Sequence, residues 1–221
     1  MPITDMMRNH KQLILFVKSP TLGLCKTRLI PLLGEQGATD FYKHLLSHCV
    51  HIASQLNDID VALYVYPDTQ HEFIQQLKNT YDMPLYTQQG DDLGERMHHA
   101  MHHSLTQYSQ CVLIGSDCPA ITTDYIQQAF NALNSHSICL GPATDGGYVL
   151  IGATEIYSEL FAHTEWSTST VLQQCLTNID KLNVSHHLLT TLWDIDTPND
   201  FIENQSTIEQ LLNKPSLKDI K

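Results

Sequence analysis

The chain has 221 residues, 42% of them hydrophobic and 16% charged, and a formal net charge of -12. This is enough apolar material to bury a sizeable core, which excludes an intrinsically disordered chain. The acid excess excludes sequence-independent binding to nucleic acid, whose phosphates would be repelled.

No stretch reaches the ~18 consecutive apolar residues of a membrane-spanning helix. The polar opening MPITDMMRNHK lacks the apolar centre of a secretory signal. Six cysteines (Cys25, Cys49, Cys111, Cys118, Cys139 and Cys175) are scattered without a C-x-x-C pair, which predicts reduced thiols and a cytoplasmic protein. Charge is uneven: Met6 to Gly34 holds no Asp or Glu, yet contains Arg8, Lys11, Lys18, Lys26 and Arg28. A basic island on an acidic chain predicts a small anionic ligand, with Arg8 and Lys11 read as a solvated lead-in.

In chain order, the apolar run Leu13 to Val17 predicts a strand buried on both faces. It runs into KSPTLGLCKTRL, Lys18 to Leu29, where Pro20 and Gly23 make a loop and Lys26 and Arg28 stand in the loop or at a helix start. Helix N-termini and cationic side chains suit phosphate oxygens. The segment is neither a Walker A motif nor a G-x-G-x-x-G loop. Asp40 to Leu56 has helical spacing, Val61 to Tyr66 reads as a strand, His71 to Leu77 as a short helix and Leu85 to Thr87 as a weak strand. In QQGDDLGERM, Gln88 to Met97, Gly90 and Gly94 allow close backbone approach and Gln88 or Gln89 can read a base edge, while Asp91 or Asp92 can cap the next helix.

That helix, Gly94 to Leu105, carries His98, His99, His102 and His103, which are read as surface histidines. Cys111 to Ile114 is a buried strand ending in GSDCP, and Asp117 there is a hard oxygen ligand of the kind Mg²⁺ prefers. Asp124 to Leu133 is helical and Ile138 to Leu140 extended. In GPATDGGYVLIG, Asp145, Gly146 and Gly147 form either a tight turn or an acceptor-side turn before the strand Tyr148 to Ile151. Thr168 to Leu176 reads as a helix and Val184 to Leu189 as a strand. In WDIDTPNDF, alternation puts Asp194 and Asp196 on one side, and either can complete a metal site with Asp117. Thr197 and Pro198 open a last helix, with Asp200 in its first turn.

This β-α alternation predicts an α/β, Rossmann-like, mostly parallel sheet with helices on both faces, as one domain over 1–221. Ligands of such sheets sit beyond the carboxyl ends of the strands.

Taken together, KSPTLGLCKTRL, QGDDLGERM, GSDCP, GPATDGGYVLIG and DIDTPNDF span Lys18 to Phe201. In this order they resemble the radical-SAM/selenodomain-associated transferase group of the nucleotide-diphospho-sugar transferase superfamily, with its glycosyltransferase A-type fold. More distantly the chain is similar to 2-phospho-L-lactate guanylyltransferases and molybdenum-cofactor nucleotidyltransferases. The resemblance implies a nucleotide over the N-terminal half, bound by Lys18, Gly23, Lys26, Arg28, Gln89, Gly90 and Gly94. It implies Mg²⁺ or Mn²⁺ on Asp117 with Asp196, or its neighbour Asp194. It implies an acceptor at Asp145, Gly146 and Gly147, with Lys26, Arg28 and Asp145 acting in catalysis.

One departure is Pro20 and the single Gly23 in place of a glycine-richer first loop, which leaves open whether a triphosphate or a nucleotide-sugar is held. The expected reaction is nucleotidyl transfer to a small-molecule acceptor. The alternatives are glycosyl transfer from a nucleotide-diphospho-sugar, or nucleotide binding without chemistry. A homodimer is left open.

Overall fold

The computed structural model describes residues 10–212; Arg8 of the basic lead-in lies outside them. The strands are β1 (Lys11–Lys18), β2 (Ile59–Tyr66), β3 (Leu85–Thr87), β4 (Gln110–Gly115), β5 (Ile138–Pro142), β6 (Tyr148–Ala153) and β7 (His186–Leu188). The helices are α1 (Ile30–Ser54), α2 (Glu72–Tyr81), α3 (Leu93–Leu105), α4 (Thr123–Ala132), α5 (Val171–Leu182), α6 (Pro198–Glu203) and α7 (Gln205–Leu212).

The seven strands form one sheet in the order β3-β2-β1-β4-β6-β5-β7. All neighbours pair in parallel except β6, which is antiparallel to both β4 and β5. The expected mostly parallel α/β sheet is therefore the observed one. From β1 the chain moves outward through β2 and β3, then returns to place β4 on the other side of β1. The order reverses between β1 and β4, and a crevice opens where such a reversal occurs.

Alternation along β1 sends Leu13, Leu15 and Val17 into a core shared with Leu46, Val50, Ile126 and Phe130, beneath α1 and α4. Ile14 faces the opposite core, with Met97 and Met101 of α3 and Ile179 of α5. Each fully buried Leu, Ile or Val contributes about 1.5–3 kcal/mol. A third cluster joins Leu29, Phe41 and Leu45 to Ile195, Ile208 and Leu211, which fastens the C-terminal helices to the start of α1.

Several boundaries differ from those expected, three of them with consequences for the fold. Helix α1 begins at Ile30, ten residues before Asp40, with Pro31 in its first turn and a break at Gly34 (φ 71°, ψ 168°). The glycines at 34 and 37 hide that first turn from a periodicity reading. Helix α5 begins at Val171 rather than Thr168, and the last helix is two, separated at Asn204.

Candidate active site

A cleft of about 720 Å³ opens at the carboxyl ends of β1 and β4. Its cationic side is the loop after β1. Gly23 (φ 72°) turns the chain, the Lys18 ammonium donates to the Leu24 carbonyl at 2.8 Å, and the Cys25 thiol donates to the Ser19 carbonyl at 3.2 Å. Lys26 follows in the left-handed conformation (φ 47°, ψ 45°), which costs a non-glycine residue about 1–3 kcal/mol. The surroundings that hold it there are its ion pairs. Its ammonium lies 3.0 Å from Asp117 Oδ2 and 3.6 Å from Asp196 Oδ1, with the side chain only 3% exposed. Burial disfavours the charge, but Asp117 and Asp196 outweigh it and hold the ammonium above its ordinary pKa. Arg28, further out, places Nη1 2.6 Å from Asp196 Oδ2.

Asp117 stands just past β4. It does not cap α4, because Thr122 does so by accepting the Tyr125 N–H. Its Oδ1 is buried without a hydrogen-bond partner among the described residues. Beside it, Ser116 Oγ lies 3.0 Å from the Tyr42 hydroxyl, which also accepts the Lys18 N–H at 2.8 Å.

The segment carrying Asp194 and Asp196 is threaded past the same edge. Leu192 N–H donates to Pro142, and Ile195 N–H donates to the Asp117 carbonyl at 3.3 Å. Ile195 is fully buried in one cluster with Leu29. Burying the middle residue of Asp-Ile-Asp therefore aims both flanking carboxylates into the cleft, and its packing beside Leu29 brings Arg28 within reach of Asp196. Asp200 accepts from the Asp196 and Thr197 N–H groups and completes a capping box on α6. It is the structural carboxylate that its first-turn position suggests.

Asp196 is committed to Arg28 and Lys26. Among the described residues Asp194 makes no ion pair. Burial, with Asp145 and Asp117 facing it, pushes its carboxyl up to about 6 against the opposing pull of Lys26. Among the described residues no three His, Cys, Asp or Glu side chains are gathered as a metal-ligand group. Mg²⁺ commonly takes one or two carboxylates and completes its shell with substrate oxygens and water. The unpartnered Asp117 Oδ1 and the crowded Asp194 carboxylate fit that demand. Asp196, the second ligand preferred from sequence, fits it less well because its oxygens already serve two cations.

Asp145 and Gly147 line the cleft, and Asp145 Oδ1 accepts the Gly147 N–H at 2.8 Å. Other sequence-predicted positions serve the scaffold. Gly146 (φ 89°) makes the turn, and a Cβ there would collide with the Ser169 carbonyl oxygen. Gly23 does not line the cleft and acts in the turn. Gln89, Gly90 and Gly94 also lie outside the lining. Gln88 lines it, but its amide donates to the Val17 and Tyr64 carbonyls, tying β1 and β2. Asp92 caps α3 by accepting the Glu95 N–H. His103 Nδ1 lies 2.8 Å from the Tyr64 hydroxyl.

What sequence reasoning missed is Arg96. Its guanidinium lies 3.7 Å above the Tyr66 ring and donates to the Gly90 carbonyl. It stood inside the quoted GERM motif, but its partner thirty residues earlier carried no signal. Trp166 was also missed, and it rests on Gly94: a Cβ there would meet Trp166 Cζ2 at 2.6 Å and Phe161 Cβ at 3.0 Å. Gly94→Ala is therefore expected to lower stability by about 1–3 kcal/mol through overpacking and to shift tryptophan emission. An unchanged denaturation midpoint and spectrum would show that the contact is looser than this.

The fold and cleft define a doubly wound α/β protein of the nucleotide-diphospho-sugar transferase type. The chain belongs to the family described as "Uncharacterized protein conserved in bacteria (DUF2064)", whose profile matches residues 49–168. It is similar to a crystal structure from Desulfovibrio desulfuricans G20 described as a candidate nucleotide-diphospho-sugar transferase. Identity is 27% and the TM-score 0.79, over 92% of this chain and 98% of that one. At fold level alone it also resembles 4-diphosphocytidyl-2C-methyl-D-erythritol synthase from Anaerococcus prevotii DSM 20548 (10% identity, TM-score 0.58, 93% and 99% covered). A further fold-level likeness is glucosyl-3-phosphoglycerate synthase from Mycobacterium tuberculosis, solved with Mn²⁺ and uridine diphosphate (9% identity, TM-score 0.56, 92% and 77% covered). A search of curated proteins finds no significant match. Among the described residues no helix is long and apolar enough to cross a membrane.

Proposed function

We propose that the protein is a divalent-cation-dependent transferase that holds a nucleoside triphosphate or nucleotide-sugar in this cleft and passes part of it to a small-molecule acceptor. The observation that carries the reading is the meeting of Lys26, Arg28, Asp117, Asp194 and Asp196 in one cleft, with Lys26 buried against two of the carboxylates.

Lys26 and Arg28 neutralise phosphate oxygens, Arg28 with a fork suited to two of them. Tyr66 and Arg96, stacked on each other in the cleft lining, offer a flat cationic surface to a base. Asp117 and Asp194 would hold Mg²⁺ or Mn²⁺, which when bound supplies charge neutralisation to the phosphates. Asp145 orients the acceptor oxygen. In nucleotidyl transfer that oxygen bonds to the α-phosphorus as the bond to the β-phosphate oxygen breaks; pyrophosphate leaves and the acceptor's proton passes to water. These residues contribute positioning and electrostatics rather than covalent chemistry.

Glycosyl transfer remains a second reading because the 27%-identical relative is described as handling nucleotide-diphospho-sugars. Product analysis separates the two: pyrophosphate release marks nucleotidyl transfer, nucleoside diphosphate release marks glycosyl transfer. A thermal-shift panel of nucleoside triphosphates and nucleotide-sugars, with and without Mg²⁺, tests the donor site. A true donor at a hundred times its Kd stabilises the fold by about 2.7 kcal/mol. A panel with no Mg²⁺-dependent shift would count against the whole proposal.

A further inference from the structure

Resting on the donor reading above, we infer that the acceptor is a neutral or cationic hydroxyl compound with an apolar body, and that Trp166 is the wall that selects it. The cleft is divided by chemistry. One part carries Lys26, Arg28 and the carboxylates. The other is lined by the half-buried rings of Phe16, Tyr148 and Trp166, with Met97, Leu113 and Ile151 of the core showing at most a few per cent of their surface between them. A polyphosphate has no use for these apolar walls, and a sugar-sized polar acceptor would leave them wet. They suit a ligand that brings apolar surface at roughly 25 cal/mol per Å² buried.

The wall is built rather than incidental. Gly94 lacks the Cβ that would collide with Trp166, and Gly146 lacks the one that would collide with Ser169. The loop between these two close approaches is braced at Thr168 Oγ1, which donates to the Glu165 carbonyl at 2.7 Å, and at Glu165 N–H, which donates to Gln174 at 2.8 Å. Leu172 N–H donates to the Gly146 carbonyl. The loop thus joins the start of α3 to the Asp145 turn and fixes the ring of Trp166 over this part of the cleft.

Charge sets the other half of the inference. Asp145 lines the cleft near enough to Asp194 to act on its carboxyl. A phosphate-bearing acceptor would place its dianion against Asp145, the carboxylate not given to the metal, whereas a hydroxyl donates to that carboxylate and a cation is attracted. Among the described residues the Tyr148 hydroxyl meets only Met97 Sδ at 4.0 Å, a weak acceptor, and so has a proton to offer to a ligand oxygen.

The test uses the full chain with Trp193→Phe, which leaves Trp166 as the sole tryptophan of the two in the sequence. Its emission is titrated with 2-phenylethanol, tyramine, phenyl phosphate and glycerol. The expected result is that 2-phenylethanol and tyramine bind at least tenfold tighter than phenyl phosphate or glycerol. Asp145→Asn should then narrow the phenyl phosphate gap at least threefold, a readout that does not depend on altering Trp166.

Phenyl phosphate binding as well as the two uncharged or cationic phenyl compounds would overturn the charge argument, and glycerol binding equally well would overturn the apolar one. Emission that answers to nucleotides but to none of the four probes would give the apolar part to the base instead and also overturn the inference. Nucleotide thermal shifts run in parallel keep the failures apart. Shifts without probe binding sink this inference alone, while probe binding without any nucleotide shift sinks the donor reading on which it rests.

Discussion

Lys26→Met is expected to lower turnover at least a hundredfold and stability by about 1–3 kcal/mol. The first figure follows from losing a buried cation aimed at developing phosphate charge; a hundredfold is about 2.7 kcal/mol of barrier. The second follows from leaving Asp117 and Asp196 facing each other without the ammonium 3.0 and 3.6 Å away. Breaking a fully buried pair costs about 3–5 kcal/mol, but these carboxylates are 46% and 37% exposed, so water shields part of the repulsion. Methionine inherits the left-handed backbone, so that strain is not relieved.

Adding Asp117→Asn to Lys26→Met removes one of the two opposed charges. The double variant should regain most of the lost stability while staying inactive, because stability and catalysis use the same pair for different ends. Calorimetric melting and product release read the two effects separately. A Lys26→Met enzyme with ordinary turnover, or a double variant no more stable than the single one, would break this account of the ion-pair cluster.

Asp117→Asn alone is expected to cost turnover about 10²- to 10³-fold, the scale of losing one preorganised electrostatic group. Stability should fall by no more than about 1–2 kcal/mol, since the buried Lys26 ammonium keeps Asp196 at 3.6 Å and the partner it loses is 46% exposed. The variant should keep its circular dichroism spectrum and lose the Mg²⁺-dependent part of the nucleotide-induced thermal shift. Wild-type turnover in a folded Asp117→Asn protein would remove Asp117 from the site.

How much of this could be read in advance follows from what each residue answers to. Lys26, Asp117 and Asp145 were legible because each follows a strand whose apolar run is plain, and the reversal of strand order carries such positions to one edge. Asp194 and Asp196 were legible as a pair, because Ile195 between them had to be buried. Which of the two is tied up by a cation was not, since that depends on Arg28 reaching Asp196 across 168 residues of sequence.

The glycines at 90, 94 and 146 were seen as places of close approach, and they are. Their partners are Glu95 and Arg96, Trp166, and Ser169 of this same chain, where a ligand had been expected. Close approach in sequence does not say what approaches. The Tyr66–Arg96 stack and the Trp166 wall were invisible for the same reason: each is a contact between segments that carry no local pattern linking them. The early start of α1 was masked by Pro31 and Gly34, whose local signals speak for a loop while Leu29 and the third core cluster hold the turn in place.

The claim beneath all of this is that the cations after β1 and the carboxylates after β4 and before α6 serve a single polyphosphate and its metal. Isothermal titration calorimetry of the best nucleotide from the thermal-shift panel, in MgCl₂ and in EDTA, on wild type and Asp117→Asn, tests it most directly. The account predicts at least tenfold weaker binding in EDTA for wild type and no difference between the two conditions for the variant. Equal affinity in both conditions for wild type, with the variant binding just as tightly, would contradict it.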